Sequence, residues 1–153
     1  MNQPLEMGSG TSPGGAVLLV DEDLEQLEWV GRVIQGIGYV VTSCGSYAEG
    51  LRALAIGTFD IVVMGQGSRN FEGRCVLEGA SAVNRRLPVV VVARHLEMGC
   101  YLEAMQLGAV DYIAGPFGST EIVRVMRNWM PRRKAAVEVE QLTANQASGR
   151  PVA

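Results

Sequence analysis

The sequence contains few of the residues that build metal or redox centres: one histidine and three cysteines among 153 residues. Cys44, Cys75 and Cys100 are an odd number and lack the paired spacing of a zinc site, so we expect reduced, packed thiols. His95, the single histidine, follows an apolar run, and we interpret it as a residue at the start of a helix rather than as a catalytic group. We therefore expect neither a metal centre nor a cofactor.

Long apolar segments and an excess of positive charge are also missing. The longest apolar runs, such as residues 89–93, are far shorter than a membrane-spanning helix. A net charge of −3 and a pI near 5.2 argue against broad binding of this domain to nucleic acid or to anionic lipid. Residues 1–15 lack the basic start and apolar stretch of a secretory signal. With 48% hydrophobic and 19% charged residues, the chain is expected to be a folded, soluble, cytoplasmic domain.

Short apolar runs alternate along the chain with segments of helical periodicity. Five runs indicate strands, at residues 16–20, 39–43, 59–64, 89–92 and 110–114, and the first of them is typical of a strand buried on both faces. Each run is followed by a segment in which apolar residues recur at helical spacing. This alternation predicts an α/β fold, a doubly wound sheet of five parallel strands flanked by five helices.

The alternation fills residues 16–130, which we interpret as one domain. Residues 1–15 are rich in glycine, proline and serine and are expected to form a flexible leader. After Pro131 the composition becomes basic and polar, so residues 131–153 are predicted to be a tail or a linker.

An apolar stripe marks the fourth predicted helix. Met98, Leu102 and Met105 recur there at helical spacing, and we assign them to the core rather than to a cofactor site.

Three consecutive acids, Asp21, Glu22 and Asp23, follow the first predicted strand. Ligands of open parallel sheets bind outside the carboxyl ends of the strands, and clustered carboxylates at that edge need a cation. Magnesium suits oxygen ligands of this kind. The alternative is that Asp23 caps the helix beginning near Leu24 while the other two acids are solvated. The residues alone leave both interpretations open.

Five segments in register point to a known family. They are residues 18–23, ending in the acids; residues 59–65, the third strand; residues 71–73, a Phe-Glu-Gly turn; residues 87–93, the fourth strand; and residues 108–117, from Gly-Ala-Val-Asp-Tyr to Gly-Pro-Phe. Together they resemble a bacterial response-regulator receiver domain over about residues 16–130. The resemblance implies a flavodoxin-like (βα)5 fold with strand order 2-1-3-4-5 and a role in two-component, or phosphorelay, signal transduction.

The resemblance also shows what this chain has lost. In the family, an aspartate nucleophile, a hydroxyl and a lysine hold the phosphoryl group, and these positions fall on Gly65, Ala93 and Gly115. A nucleophilic step needs a carboxylate, and stabilising the phosphoryl oxygens needs donors, so these residues remove both. Only Asp21 and Glu22, weak candidates for a metal, remain. We expect a vestigial phosphorylation pocket in a pseudo-receiver that is not an enzyme.

Neighbouring residues offer partial replacements. Arg94 follows Ala93 and is a candidate cation for the Asp21–Glu22 pair, with a solvent-facing arginine as the alternative. Ser68 carries a hydroxyl near the pocket, but we see no base that would activate it. The lysine–proline bond of the family is usually cis, so the resemblance implies a cis bond between Gly115 and Pro116 here.

The family also implies an interaction surface formed by the fourth helix, the last strand and the last helix. Tyr112 occupies the position of the aromatic switch residue, and Arg124 and Arg127 are the other contacts that we select. In the family this aromatic residue is coupled to the hydroxyl residue, whose position is Ala93 here. Because that hydroxyl is missing, Tyr112 is expected to remain in one rotamer. The alternative is a half-buried core tyrosine.

Two functions remain open. The first is an atypical receiver that acts by phosphorylation-independent protein–protein interaction, with a kinase, another receiver, a localisation factor or a second copy of the chain, and with no nucleic acid or membrane as partner. The alternative is a small-ligand-binding module that uses the vacated pocket at the strand ends, where small residues permit close approach.

Overall fold

A computed structural model of the protein describes residues 14–131, and these form an alternating series of five strands and five helices. In chain order the elements are β1 (Ala16–Val20), α1 (Leu24–Gly36), β2 (Val40–Cys44), α2 (Tyr47–Ile56), β3 (Ile61–Gly65), α3 (Arg74–Val83), β4 (Val89–Ala93), α4 (Met98–Gln106), β5 (Asp111–Ala114) and α5 (Ser119–Trp129). The predicted succession is confirmed, with boundaries shifted by one or two residues. The predicted leader and tail lie outside the described residues, apart from residues 14, 15 and 131.

The five strands form one parallel sheet in the order β2-β1-β3-β4-β5, so the predicted 2-1-3-4-5 order is confirmed. In the register of the central strands, Val20 of β1 lies beside Met64 of β3, and Gly65 of β3 lies beside Val92 of β4. All carboxyl ends therefore meet at one edge. The residues that follow β1, β3 and β4 are brought together at that edge.

The core lies on both faces of the sheet because three of its strands, β1, β3 and β4, are buried on both sides. Successive strand side chains point to opposite faces. Leu18 and Val20 contribute to the layer under α2, α3 and α4, whereas Val17 and Leu19 contribute to the layer under α1 and α5. This explains why these three strands are continuous apolar runs rather than alternating ones. The edge strand β2 is mostly exposed.

The first helix begins where the acidic run ends. The Asp23 side chain caps α1 by accepting a hydrogen bond from the Gln26 backbone N–H at 3.3 Å. The alternative interpretation of Asp23 as a cap is therefore correct for this residue.

None of the helices formed by residues 14–131 combines the length and apolar character needed to span a membrane.

The assignment of the α4 stripe to the core is wrong. Met98 and Leu102 are about half exposed, at 55% and 51%, and Met105 is 37% exposed. The residues that face the core are Cys100 and Ala104, which are 3% and 0% exposed. Both sets recur at helical spacing, so periodicity could not choose between them. The small side chains of Cys100 and Ala104 face the sheet, and the larger apolar side chains of the stripe remain on the surface.

Candidate functional site

A cavity of about 270 Å³ lies at the carboxyl edge of the sheet. The loops after β1, β3 and β4 line it, together with the start of α2. Its lining includes the predicted site residues Asp21, Glu22, Gly65, Ala93 and Arg94. The structure therefore brings together five of the six residues that the sequence assigned to the pocket.

Gly115, the sixth, is not in that cavity. It lines a neighbouring groove with Trp29, Pro116 and Phe117. A Cβ atom at Gly115 would lie 2.4 Å from the backbone oxygen of Arg94, so any side chain here would require the β4–α4 loop to move. The Gly115–Pro116 bond is cis, as predicted.

The space beside Gly65 is filled by the carboxyl group of Asp21. A Cβ atom built on Gly65 would lie 2.6 Å from Cγ of Asp21, closer than real Cβ contacts. The carboxyl group is held there by two hydrogen bonds. Its Oδ1 accepts from the Asp23 backbone N–H at 2.9 Å, and its Oδ2 accepts from Nε2 of Gln26 at 2.7 Å. The absence of a side chain at position 65 therefore allows the Asp21 carboxyl group to pack against the backbone here.

Burial raises the pKa of Asp21 from its ordinary value of 3.8 to about 6. The hydrogen bond from Gln26 and the positive charge of Arg94 both oppose this rise, and the negative charge of Glu22 adds to it. A carboxyl group with this pKa takes up a proton in mildly acidic solution, and a cation at Asp21 must then compete with that proton.

Arg94 lies at the cavity, as predicted, but its partner differs from the one expected. Its guanidinium group pairs with the Asp23 carboxylate rather than with the Asp21–Glu22 pair. The reason is local: Asp23 is held at the start of α1 by its capping bond, facing the β4–α4 loop, whereas Asp21 turns inward to Gln26. The side chain of Arg94 is 60% exposed and that of Asp23 is 24% exposed, so the pair is solvated mainly on the arginine side.

Comparison with known proteins places these observations in a family. The sequence model of one family, the response regulator receiver domain, matches residues 17–127. The chain belongs to the response-regulator receiver family. The chain is 30% identical over 125 residues to the transcriptional regulatory protein KdpE of Mycobacterium tuberculosis, covering 82% of this chain and 55% of KdpE. It is 26% identical over 131 residues to the C4-dicarboxylate transport transcriptional regulatory protein DctD of Rhizobium meliloti, covering 86% of this chain and 28% of DctD.

The solved structures agree on the fold. A CheY-like response regulator receiver domain protein from Methanospirillum hungatei superimposes with a TM-score of 0.70 at 20% identity, covering 83% of this chain and 98% of that one. In contrast, this chain spans only about a quarter to a half of the length of the curated relatives it matches. The receiver is therefore similar to one part of those regulators.

A receiver of this family is expected to bind magnesium beside its phosphoacceptor, and the residues here do not fit that ion. Within residues 14–131, no group of three or more histidine, cysteine, aspartate or glutamate side chains is placed to hold a metal. Gly65 supplies no carboxylate, and both oxygens of Asp21 already accept hydrogen bonds from the protein. Glu22, the other weak candidate, is exposed.

Three polar residues at the receiver pocket escaped the sequence analysis. Gln26 holds Asp21, and the Tyr47 hydroxyl donates to the Gly65 carbonyl oxygen at 3.0 Å. Gln66 is only 3% exposed, and its side chain accepts a hydrogen bond from the Tyr112 hydroxyl. The available signal was the position of Gln66, a polar residue placed directly after an entirely buried strand. A polar side chain there must find partners inside the protein.

Ser68 does have a carboxylate neighbour. Its hydroxyl donates to Glu72, at 2.8 Å to Oε2, and this contact together with a backbone bond lowers the pKa of Glu72. A carboxylate with a lowered pKa is a poorer proton acceptor, so Glu72 is a weak base for the Ser68 hydroxyl. The two residues instead hold the loop together through their hydrogen bonds.

The residues predicted for the interaction surface lie as follows. Arg124 and Arg127 are exposed on α5. Tyr112 on β5 is half-buried, and its ring lies edge-on to Tyr101 of α4, with ring centres 5.4 Å apart. The description of Tyr112 as a half-buried core tyrosine is therefore confirmed, and its role at the interaction surface stays a prediction.

Proposed function

We propose that this receiver is an atypical, non-enzymatic module of two-component signal transduction that acts through protein–protein interaction without aspartyl phosphorylation. One observation carries the proposal: the carboxyl group of Asp21 fills the space in which a side chain at position 65 would begin. Gly65 itself supplies no carboxylate, and a side chain at this position would have to displace the Asp21 carboxyl group.

The charges around the pocket support the same proposal. Four carboxylates line it, those of Asp21, Glu22, Asp23 and Glu72, against the single guanidinium of Arg94. That arginine already pairs with Asp23. A phosphoryl group carries negative charge, so this lining would repel it where a working receiver attracts it.

We place the partner contact on the face formed by α4, β5 and α5. The exposed residues Met98, Leu102 and Met105 lie on α4, and the exposed cations Arg124 and Arg127 lie on α5. Methionine and arginine are both enriched at protein interfaces relative to the rest of the surface. A kinase, another receiver, a localisation factor or a second copy of this chain in the cytoplasm fits this face.

The test is incubation with acetyl phosphate and Mg²⁺, followed by intact-mass measurement and by binding to the partner kinase or receiver. We expect no phosphorylated species and an unchanged affinity for the partner. A Ser68→Ala variant is the matched control, because it distinguishes phosphorylation of the loop hydroxyl from phosphorylation of a carboxylate. Stable phosphorylation of the wild-type pocket would refute the proposal.

The second candidate is a small-ligand-binding module, and the cavity itself favours it. Its volume of about 270 Å³ is close to the lower end of small-molecule sites, about 300 Å³. The acidic lining would select a neutral or cationic compound. A thermal-shift screen of small amines, nucleosides and other metabolites tests it; a saturable stabilisation that disappears in Gly65→Ala would support this function, and no hit would remove it.

A further inference from the structure

Gln66 is an unusual residue for its place in the fold. Among residues 14–131, only Gln66 and Asp21 are polar or charged and also buried. Its backbone is fixed on both sides: its N–H donates to the Val92 carbonyl at 2.8 Å, and its carbonyl accepts from the Gly73 N–H at 3.0 Å. The side chain therefore extends from a rigid point at the end of β3.

Both ends of the Gln66 amide have partners. Nε2 donates to the Ser68 carbonyl oxygen at 3.2 Å, and Oε1 accepts from the Tyr112 hydroxyl. A buried amide that loses a partner is destabilising, so this arrangement selects one position of the tyrosine ring. The neighbouring strand β4 ends in Ala93, which is 2% exposed and offers no competing hydroxyl.

The Tyr112 hydroxyl connects Gln66 to the start of α4. It accepts a hydrogen bond from the Glu97 backbone N–H at 3.4 Å, and Glu97 directly precedes α4. The Tyr112 ring also lies edge-on to Tyr101 within α4. Contacts thus run without a break from the end of β3, through Tyr112, to the helix that carries the exposed stripe Met98, Leu102 and Met105.

We propose that Gln66 is the positioning residue of the interaction face: its amide holds Tyr112 inward and thereby sets the position of α4, with no phosphoryl group involved. The inference rests on the proposed function and adds to it the internal contact that keeps the face in a single state. Gln66 acts through Tyr112 and is not itself a contact for the partner, since it is buried.

The test compares Gln66→Leu, which removes the amide but keeps a similar volume, with Tyr112→Phe, which removes only the hydroxyl. Tyr101→Phe is the matched control, because that ring is part of the same aromatic pair but takes no part in the two hydrogen bonds that link Gln66 to Glu97 through Tyr112. Backbone amide spectra are recorded for all variants. Tyrosine labelled at Cζ reports directly on the Tyr112 hydroxyl in wild type and in Gln66→Leu.

We expect Gln66→Leu and Tyr112→Phe to shift the same amide signals, from Glu97 through α4, and the double variant to shift them no further. The Tyr112 Cζ signal should move in Gln66→Leu, which loss of packing elsewhere would not cause. Shifts confined to residues 65–73, with Glu97 and α4 unchanged, would overturn the inference. If Gln66→Leu does not fold, Gln66→Met, which also removes the amide, takes its place in the same comparison with Tyr112→Phe.

These outcomes are separate from those of the phosphorylation test. A receiver that gains no phosphate but shows no coupling to α4 would retain the proposed function without this positioning role. Phosphate on the wild-type pocket would refute the function whatever the α4 signals show.

Discussion

The packing of Asp21 against Gly65 predicts that one added methyl group destabilises this receiver. In Gly65→Ala, the new Cβ atom would lie 2.6 Å from Cγ of Asp21, so the carboxyl group must leave its place. It then loses at least one of its hydrogen bonds from Gln26 and Asp23. A hydrogen bond to a charged group contributes about 1.5–3 kcal/mol.

A smaller effect acts in the opposite direction. Replacing glycine by alanine stiffens the unfolded chain and stabilises the fold by about 0.4–1 kcal/mol. The difference is a net loss of about 0.5–2.5 kcal/mol in the free energy of unfolding, measured by urea denaturation near neutral pH. Gly99→Ala is the matched control: a Cβ atom there meets nothing within 4 Å, so this helix position should gain about 0.5–1 kcal/mol.

The same reasoning predicts a coupling between the two positions. With Asp21→Ala as the background, the obstructing carboxyl group is gone, and Gly65→Ala should no longer destabilise. In a double-mutant cycle, the effect of Gly65→Ala should differ between the two backgrounds by the whole hydrogen-bond contribution, about 1.5–3 kcal/mol. An equal loss in both backgrounds, or no loss in either, would refute the claim that Asp21 occupies the space of a phosphoacceptor side chain.

Three further predictions concern charge and surface. Because the pKa of Asp21 rises from 3.8 to about 6 on folding, the folded state binds more protons between these values, and stability should increase as the pH falls through them, by about 3 kcal/mol at most. Asp21→Asn should remove this increase in urea titrations at several pH values; an unchanged profile would contradict the shift. Arg94→Ala should cost at most about 1 kcal/mol at low salt and nothing measurable at high salt, because its pair with Asp23 is solvated; a larger, salt-independent loss would show a buried role. Leu102→Glu should leave stability within about 0.5 kcal/mol but abolish partner binding or self-association, whereas the buried control Ala104→Leu should lose about 1–3 kcal/mol; unchanged binding by Leu102→Glu would exclude α4 from the interface.

The fold could be predicted because strand burial leaves a strong pattern in the sequence. Residues 16–20, 61–65 and 89–93 are covered on both faces, so nearly every position is apolar. Parallel strands buried in this way also place their carboxyl ends at one edge, which periodicity and connectivity are enough to predict and which placed Asp21 at that edge. The assignment of Gly65 and Ala93 to the same pocket came instead from the resemblance to receiver domains.

The details that depend on side-chain direction could not be predicted. The two faces of α4 have equal helical spacing, and only packing against the sheet decided for Cys100 and Ala104. Arg94 pairs with Asp23 because the Asp21 carboxyl group points inward to Gln26, an orientation that the sequence does not indicate. The contact between Gln66 and Tyr112 joins residues 46 positions apart, and neither carries a sequence signal that names the other.

The measurement that tests the central claim most directly is the response of the backbone amides to Mg²⁺, with and without beryllofluoride, a mimic of the phosphoryl group. Signals of Asp21, Gly65 and Tyr112 report on the pocket and on the face that we propose it no longer controls. The account predicts no saturable shift with either addition. A saturable shift at Asp21 and Gly65 that extends to Tyr112 would contradict it, because the pocket would then still bind and transmit a phosphoryl-like ligand.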